Sequence, residues 1–342
     1  MMTLVTGASG LLGSAVVDLL VARGEPVRAL VRPGDDLTRF GWRDVEVCRG
    51  DMGDHASLAE AVRGVGRMLH CAARTGPWGP AAEYEIANVR GTRALVELAQ
   101  AAGVARIVHV SSITVHGNDV RGPADEYSPF HDEPNPYSRS KVAGERLLQG
   151  MIREQRAPVV IVRPGWIYGP RDRASFARFA ALIEEGKMVI IGSGENSVPL
   201  IYVSDVARGV VLASETPGVV GQAYLLVNDE PVTQRVYYET IAAELGVAPP
   251  TRHIPYRPAL ALGAAAEFVG HVTGRKQPPP LMRYGLQLAG GENRFIIAKA
   301  RRELGFVPEV DLAEGVQRSV AWYRATQPTV LPASASAVRP AV

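Results

Sequence analysis

The chain has 342 residues, of which 46% are hydrophobic, and a formal net charge of +2 with both signs mixed along its length. A chain this long buries a large core, and its near balance of charge gives no electrostatic footprint for a nucleic acid or an anionic membrane. A small-molecule ligand is therefore expected. The two cysteines, Cys48 and Cys71, match no metal-ligand or redox spacing, so we predict buried thiols in a reducing compartment and no metal site.

Two observations bear on location. A strand-like run at residues 3–6 begins directly after the initiator and leaves no room for a signal peptide, so we expect a cytoplasmic protein. The longest apolar stretch, residues 258–266, has about half of the ~20 residues that a bilayer span needs, and Glu267 interrupts it. We expect a packed helix and no membrane span, with peripheral membrane contact as the alternative.

Short β-branched runs alternate with amphipathic helical runs through the first half of the chain. Strands are predicted at residues 3–6, 27–31, 45–48, 67–70, 107–110 and 159–162. Helices are predicted at residues 11–22, 56–62, 89–101 and 141–155. This alternation predicts an α/β fold with a Rossmann-type, doubly wound parallel sheet and helices on both faces.

The first strand runs into the segment TGASGLLG, which carries Gly7, Gly10 and Gly13 in a strand-to-helix turn. Glycine is needed there because the backbone turns tightly and approaches a pyrophosphate closely, while the helix N-terminus supplies amide donors. The spacing is GxxGxxG. Because it follows the first strand of a βαβ unit, it predicts a dinucleotide site.

The end of the second strand bears on which dinucleotide binds. NAD-binding proteins usually have an acidic residue there for the ribose, whereas an arginine accepts the 2′-phosphate of NADP. Here Val31 stands at the acidic position and Arg32 follows, which favours NADP. NAD stays the alternative, because Arg32 is also explained as a solvated residue and Asp35 or Asp36 as the ribose ligand.

The segment RGDM follows the third predicted strand, at an edge where ligand crevices form. Asp51 is a candidate acceptor for the adenine amino group, and Met52 a candidate cover for the ring. The alternative is an acidic helix-capping turn.

After Arg163 the regular alternation weakens, and residues 202–214 look like a helix that returns to the first domain. We therefore predict a dinucleotide-binding domain from residues 1–165 and about 200–225, and a substrate domain from about 166–199 and 226–326. The remaining residues, 327–342, are rich in Pro, Ala and Ser and are predicted to form a disordered tail.

A tyrosine and a lysine one helical turn apart, Tyr137 and Lys141, occur in PNPYSRSKVAGERL. A phenol has a reference pKa near ~10, and a nearby ammonium favours its ionised form, so the pair forms a tuned acid/base. Ser111 and Ser112 end the preceding predicted strand and supply a hydroxyl that orients a carbonyl or alcohol beside the phenol.

The whole chain resembles an extended short-chain dehydrogenase/reductase of the NAD-dependent epimerase/dehydratase superfamily. The matching segments are TGASGLLG, RGDM, HCAA (70–73), NVRGT (88–92), VSSITVHG (110–117), YSRSK (137–141), RPGWIYGP (163–170), GSGEN (192–196) and YVSDVA (202–207). In order, they cover most of residues 3–325.

The resemblance implies roles for individual residues. Tyr137 resembles the catalytic acid/base, Lys141 the lysine that holds the nicotinamide ribose, and Ser112 rather than Ser111 the catalytic serine. Asn88 resembles an asparagine that supports the site, although a helix cap explains it equally. The implied cofactor-binding residues are Gly7, Ser9, Gly10, Leu11, Leu12, Gly13, Arg32, Asp51, Met52, Ala72, Ala73, Tyr137, Lys141, Pro164 and Ile167.

Within the family, the sequence is closest in look to the branch of 3β-hydroxysteroid dehydrogenase-like and dihydroflavonol reductase-like proteins. Sugar-nucleotide enzymes usually carry an arginine that grips the substrate diphosphate, but apolar residues stand at positions 198–200 here. Arg173 or Arg178 is a candidate substitute for that arginine. The predicted substrate-binding residues are Trp78, Thr114, His116 and Trp166, with loop packing the alternative for Trp78 and a structural hydrogen bond for His116.

These inferences predict an NAD(P)-dependent oxidoreductase that interconverts a secondary alcohol and a ketone on a hydrophobic, cyclic substrate, steroid-like or polyketide-like. A nucleotide-sugar epimerase or dehydratase with retained cofactor is the first alternative, and a non-catalytic NADP-sensing protein of the same fold is the second. The resemblance also implies a homodimer through helices at residues 89–101 and 141–155.

Overall fold

A computed structural model describes residues 1–327, and the predicted tail at 328–342 lies outside the described residues. The strands are β1 (Met2–Thr6), β2 (Val27–Val31), β3 (Glu46–Arg49), β4 (Val65–His70), β5 (Arg106–Val110), β6 (Val159–Pro164), β7 (Trp166–Tyr168), β8 (Ile190–Ile191), β9 (Ser197–Val198), β10 (Leu200–Tyr202), β11 (Ala223–Leu226), β12 (Val232–Thr233) and β13 (His253–Ile254). The α-helices are α1 (Leu11–Ala22), α2 (His55–Ala61), α3 (Ala81–Tyr84), α4 (Gly91–Ala101), α5 (Pro136–Gln155), α6 (Phe176–Glu184), α7 (Val203–Glu215), α8 (Gln234–Leu245), α9 (Tyr256–Val272), α10 (Arg283–Gly290), α11 (Ala298–Leu304) and α12 (Leu312–Thr326).

Seven strands form one parallel sheet in the order β11-β6-β5-β4-β1-β2-β3. The chain winds outward from β1 in both directions, so the predicted doubly wound α/β fold is confirmed. Because β1 and β4 are adjacent while their connections leave in opposite directions, a crevice opens beyond their carboxyl ends, where ligands bind in such sheets.

Both faces of the sheet are covered by helices. One core packs α1 and α7 against the sheet through residues such as Val16, Leu20 and Val210, all fully buried. The other core packs α2, α4 and α5 against the opposite face, with Leu58 and Leu148 at its centre. The central strands β1, β5 and β6 are almost completely buried, as expected for a parallel sheet covered on both faces, whereas the edge strand β3 is largely exposed.

A third core lies beyond β6 and is built around α6, α8 and α12. Buried aromatic side chains fill it, and Tyr168, Phe176 and Tyr237 are nearly inaccessible to solvent. The predicted helix at 202–214 is α7, which packs on α1 and so returns the chain to the first core. We propose that residues 1–165 and about 200–225 form one domain and the remaining described residues the other.

The start of α5 follows its sequence. Asn135 has an extended backbone and its side-chain oxygen accepts a hydrogen bond from the Ser138 amide at 2.8 Å, while Pro136 occupies the first helical position. Proline suits that position because its missing amide has no intrahelical partner there. The helix begins one residue before Tyr137, so the cap fixes where the tyrosine points.

Candidate active site

A cavity of about 1300 Å³ lies at the carboxyl ends of β1, β2, β4, β5 and β6. Most of the predicted site residues line it: Gly7, Ser9, Gly10, Leu11, Leu12, Gly13, Arg32, Asp51, Met52, Ala72, Ala73, Ser112, Tyr137, Lys141, Pro164, Trp166 and Ile167. Four predicted residues are not in its lining: Trp78, Asn88, Thr114 and His116.

The glycine turn closes tightly against the neighbouring strand. Gly7 has a φ of +64°, and a Cβ on it would lie 2.7 Å from the Ala72 Cα, while a Cβ on Gly13 would lie 2.1 Å from the Gly7 carbonyl oxygen. No other residue fits at these two positions without moving backbone. Helix α1 begins after its N-cap residue, Gly10, which has no side chain to cap it, and its first turn has no acidic residue. The first amide groups of the helix therefore stay available to an anion.

Beyond the end of β2, Asp35 and two arginines surround Ser9. The Asp35 carboxylate accepts hydrogen bonds from the Ser9 hydroxyl and the Arg32 guanidinium, and these contacts together lower the pKa of Asp35 against the opposing effect of burial. Arg39 donates to the Ser9 carbonyl oxygen at 3.2 Å. Asp35, Arg32 and Arg39 all line the cavity.

Asp51 and Met52 both line the cavity between β3 and α2. The Asp51 carboxylate accepts from the Gly53 amide at 2.8 Å, which shapes the turn. The cap of α2 is Asp54, whose side chain accepts from the Ala56 amide. Asp51 is therefore not the cap of α2, although it shapes the turn before that helix.

Lys141 is buried, and its ammonium donates to the Val110 carbonyl oxygen at 2.9 Å. Val110 ends β5, so this bond fixes the lysine at the carboxyl edge of the sheet. Burial lowers the pKa of Lys141 to about 8 because the charged form loses its hydration. The ammonium thus titrates within the range where enzymes operate.

Tyr137 lies on the same helix, one turn before Lys141, and its ring packs edge-on against Tyr284 with centroids 6.0 Å apart. Burial raises the pKa of Tyr137, and the neighbouring Ser112 side chain opposes this shift. The sequence predicts that Lys141 lowers the pKa of this phenol. In the structure the ammonium is bound to the Val110 carbonyl oxygen instead, so burial dominates and the phenol stays protonated at neutral pH.

The two serines after β5 have different partners. Both residues line the cavity, but the Ser111 hydroxyl donates to Glu145 at 2.7 Å, whereas the Ser112 hydroxyl accepts from the Thr114 amide and is hydrogen-bonded to Tyr137. Glu145 is fully buried and forms an ion pair with Arg163, which is itself buried. Because Ser111 is bound to this pair, Ser112 is the serine beside Tyr137.

His116 and Thr114 do not line the cavity but form hydrogen bonds with neighbouring segments. The His116 ring contacts Arg163 at 3.0 Å and the Pro129 carbonyl oxygen at 3.2 Å, and burial lowers its pKa. Thr114 contacts the Ser138 hydroxyl at 2.9 Å. These bonds join the segment after β5 to α5 and β6, behind the cavity.

Asn88 bridges a loop to α5. Its side chain accepts from the Arg74 amide at 2.7 Å and donates to the Arg74 carbonyl oxygen and to the Ser140 hydroxyl. It lies inside a π-helical segment, Glu85–Arg90, so it is not a helix cap. Asn88 therefore holds residues Ala73, Arg74 and Thr75 against the cavity.

Trp78 packs away from the cavity. Its ring stacks on His271 with centroids 4.4 Å apart, and its indole nitrogen donates to the Arg275 carbonyl oxygen at 3.0 Å. These contacts join the 73–80 loop to the end of α9. Trp78 therefore packs the loop against α9, as the alternative interpretation predicted, and does not line the cavity as a substrate-binding residue.

Apolar side chains form part of the cavity lining. Trp166 packs edge-on against Phe179, and both line the cavity together with Met282, Tyr284 and Leu288. The sequence motifs do not include Phe179 in α6, Tyr284 in α10 or Arg39, so none of the three was predicted as a site residue. The apolar residues at 198–200 are buried in the third core and do not reach the cavity.

Within residues 1–327, no cluster of His, Cys, Asp and Glu is arranged to hold a metal ion. In the same part of the chain, no helix is both long and apolar enough to cross a bilayer. Cys48 and Cys71 are free thiols, and burial raises the pKa of Cys71 to about 12.

Comparison with known proteins identifies relatives over nearly the whole chain. The family model described as "NAD dependent epimerase/dehydratase family" matches residues 3–226. The chain is 32% identical to the 2-alkyl-3-oxoalkanoate reductase of Stenotrophomonas maltophilia, over 93% of this chain and 98% of that protein. It is 29% identical to the mouse (Mus musculus) sterol-4-alpha-carboxylate 3-dehydrogenase, decarboxylating, over 92% of this chain and 89% of that protein.

A solved structure of similar fold is DesIV, a dTDP-glucose 4,6-dehydratase from Streptomyces venezuelae with NAD and TYD bound. It superposes with a TM-score of 0.76 at 26% identity and covers 95% of this chain and 98% of its own. Relatives of this chain thus include a reductase, a dehydrogenase and a sugar-nucleotide dehydratase.

Proposed function

The chain belongs to the NAD dependent epimerase/dehydratase family, the extended short-chain dehydrogenases/reductases, and we propose that it interconverts a secondary alcohol and a ketone on a hydrophobic substrate. The presence of Tyr137, Ser112 and Lys141 in the lining of one cavity, together with apolar side chains such as Tyr284 beside Tyr137, supports this most. A phenol, a hydroxyl and an ammonium together bind a carbonyl oxygen and deliver a proton to it.

The cavity fits a nicotinamide dinucleotide. A Cβ on Gly7 or Gly13 would fill the cradle beneath the first turn of α1, where uncapped amide groups suit a pyrophosphate. Among the lining residues, we assign Asp51 and Met52 to the adenosine end of the cofactor and Pro164 and Ile167 to the nicotinamide end. When bound, this cofactor gives hydride to the carbonyl carbon or takes it from the alcohol.

We assign the proton to Tyr137. In reduction, its protonated phenol gives a proton to the carbonyl oxygen while Ser112 donates a hydrogen bond to the same oxygen. Lys141, with its pKa of about 8, then restores the phenol's proton from solvent. Overall, a ketone, the reduced cofactor and one proton give the alcohol and the oxidised cofactor. Oxidation is the reverse reaction.

The substrate class rests on the cavity wall and on the relatives. Trp166, Phe179 and Tyr284 offer ring faces to an apolar molecule. One relative is named for reducing 2-alkyl-3-oxoalkanoates and another for dehydrogenating a sterol at position 3. We propose a steroid-like or polyketide-like ketone or alcohol, in which the carbonyl carbon bears large apolar groups.

NADP is the cofactor we propose, because Arg32 and Arg39 flank Ser9 at the ribose end of the cavity. A 2′-phosphate binds best to fixed arginines. Asp35 opposes this choice through its charge, yet its carboxylate is already hydrogen-bonded to Ser9 and Arg32. We also propose that α4 and α5 form a homodimer interface, on the family resemblance.

One observation favours a second function. Arg173 and Arg178 are exposed side chains in the lining of the cavity, and DesIV, which has a similar fold, is named as a dTDP-glucose 4,6-dehydratase. Two arginines at the cavity mouth suit a diphosphate. A nucleotide-sugar epimerase or dehydratase that retains its cofactor is therefore the alternative.

A substrate panel tests the proposal. Steroid, flavonoid, aliphatic and nucleotide-sugar substrates are each incubated with reduced or oxidised NADP and NAD, and nicotinamide absorbance is followed. We expect stoichiometric cofactor turnover with hydrophobic ketones or alcohols. Turnover of nucleotide sugars alone, without consumption of added cofactor, would establish the alternative.

A further inference from the structure

Exposed apolar side chains are concentrated in one part of the molecule. Among residues 1–327, fourteen large hydrophobic side chains are exposed, and five of them lie between positions 262 and 281. These five are Leu262, Phe268, Val269, Val272 and Leu281. Single exposed hydrophobic residues are normal on a protein surface, but a contiguous group marks an interaction surface.

Helix α9 carries four of the five in one stripe. Positions 262, 265, 268, 269 and 272 recur at helical spacing and point outward, so the large apolar side chains face solvent. The buried face consists of Ala259, Gly263, Glu267 and Gly270. Small residues thus pack inward and large apolar residues outward, the reverse of a helix whose function is to fill a core.

The charge around this stripe is one-sided. Helix α9 and the turn after it, residues 256–276, carry three cations, Arg257, Arg275 and Lys276, and one acidic residue, Glu267. Glu267 is buried and paired with Arg283 at 2.7 Å. The cations next to the stripe are exposed and have no ion-pair partner among the described residues: Arg257, Arg275 and Lys276.

We propose that the α9 face, defined as Arg257, Leu262, Phe268, Val269, Val272, Arg275 and Lys276, docks on an anionic phospholipid bilayer. The helix lies in the plane of the surface, with its apolar stripe in the acyl boundary and the cations among the headgroups. A second copy of the chain fits less well. A two-fold contact sets cations against cations, whether the two helices run parallel or antiparallel.

The cavity opens next to this face. Pro279 and Pro280 line both the main cavity and a smaller furrow along the C-terminal half of α9. Trp78 joins the end of α9 to the 73–80 loop, whose residues 73–77 border the cavity. If the proposed function holds, a lipophilic substrate passes from the bilayer into the cavity beside these prolines, without crossing water.

Vesicle sedimentation of the full chain without substrate tests the docking. We expect binding to vesicles of phosphatidylcholine with phosphatidylglycerol, weaker binding to phosphatidylcholine alone, and release by salt. Phe268→Asp/Val272→Asp should reduce binding at least tenfold, and Arg275→Ala/Lys276→Ala should remove the preference for phosphatidylglycerol. Val236→Asp, at an exposed valine of α8, is the matched control and should bind as the wild type does.

Two results would overturn the docking proposal. One is the absence of sedimentation with either vesicle. The other is a change from dimer to monomer in light scattering when Phe268 and Val272 are replaced, which would assign the face to a second copy. Turnover of a short, water-soluble ketone by the Phe268→Asp/Val272→Asp variant keeps this test separate from the proposed function, since that activity needs no membrane.

Discussion

The ammonium of Lys141 donates a hydrogen bond to the carbonyl oxygen of Val110, the last residue of β5, at 2.9 Å. This contact fixes the only lysine in the cavity lining of the described chain at the edge of the sheet, one helical turn from Tyr137. Because the lysine is buried there, its pKa falls to about 8 while burial raises that of the phenol. Both groups are therefore protonated at neutral pH, which is the state that reduction of a ketone requires.

The pH dependence of the two directions follows from these pKa values. Reduction consumes a proton, so its kcat should fall as pH rises through about 8, where Lys141 loses its charge. In oxidation the alcohol's proton passes through the phenol to Lys141, which must be neutral to accept it, so the kcat should rise over the same range. Lys141→Met should remove this inflection, whereas Lys187→Met, at an exposed lysine, should leave it unchanged. An unchanged inflection in Lys141→Met would contradict the assignment.

Cofactor preference should depend on the arginines at the end of β2. A charged hydrogen bond contributes about 1.5–3 kcal/mol, so Arg32→Ala/Arg39→Ala should raise the KM for NADPH by ~10-fold or more and change that for NADH little. Steady-state kinetics with both cofactors measure this. Arg63→Ala, at an exposed arginine after α2, is the control. A wild-type enzyme that prefers NADH, with no effect of the double substitution, would contradict NADP use.

The buried Glu145–Arg163 pair should be a major source of stability behind the site. Glu145→Gln leaves the Arg163 guanidinium buried without its counter-charge, and breaking such a pair costs ~3–5 kcal/mol. Urea unfolding measures the loss. Glu154→Gln, at an exposed glutamate of the same helix, should change the free energy of unfolding by less than ~0.5 kcal/mol. Equal effects of the two substitutions would refute this role.

Tyr284 should contribute to binding of the hydrophobic substrate. Its ring packs edge-on against Tyr137, and an aromatic pair of this kind contributes ~0.5–1.5 kcal/mol beyond its buried area. A substrate ring packed against Tyr284 gains a contact of similar size, so Tyr284→Ala should raise the KM for the hydrophobic substrate by ~2- to 13-fold. Tyr284→Phe keeps the ring and should resemble the wild type. A KM unchanged in Tyr284→Ala would exclude Tyr284 from the substrate wall.

Local sequence predicted the fold well because each signal is local. The glycine turn, the apolar strands and the Pro136 helix start depend on residues adjacent in the chain, and the strands and helices appear within one to a few residues of their predicted bounds, except α5, which starts five residues earlier. The choice of Ser112 over Ser111 came from the family resemblance, and the catalytic role of Ser112 stays a prediction.

Long-range packing explains what the sequence did not predict. The Arg163 side chain, on β6, is hydrogen-bonded to the His116 ring, which does not line the cavity. Tyr284 meets Tyr137 across about 150 residues of chain, and no local pattern indicates that contact. The protonation of Tyr137 depends on whether Lys141 faces the phenol or a carbonyl, which residue spacing does not specify.

Isotope transfer tests the central claim most directly. The protein is incubated with a hydrophobic ketone and NADPH deuterated at the nicotinamide C4 position, with Tyr137→Phe in parallel, and the product is analysed by mass spectrometry. We predict one deuterium on the carbinol carbon, one equivalent of oxidised cofactor, and a loss of ~10²–10⁴-fold in rate for Tyr137→Phe. Failure of the label to appear in any hydrophobic alcohol, together with isomerisation or dehydration of a nucleotide sugar at constant cofactor, would contradict the account.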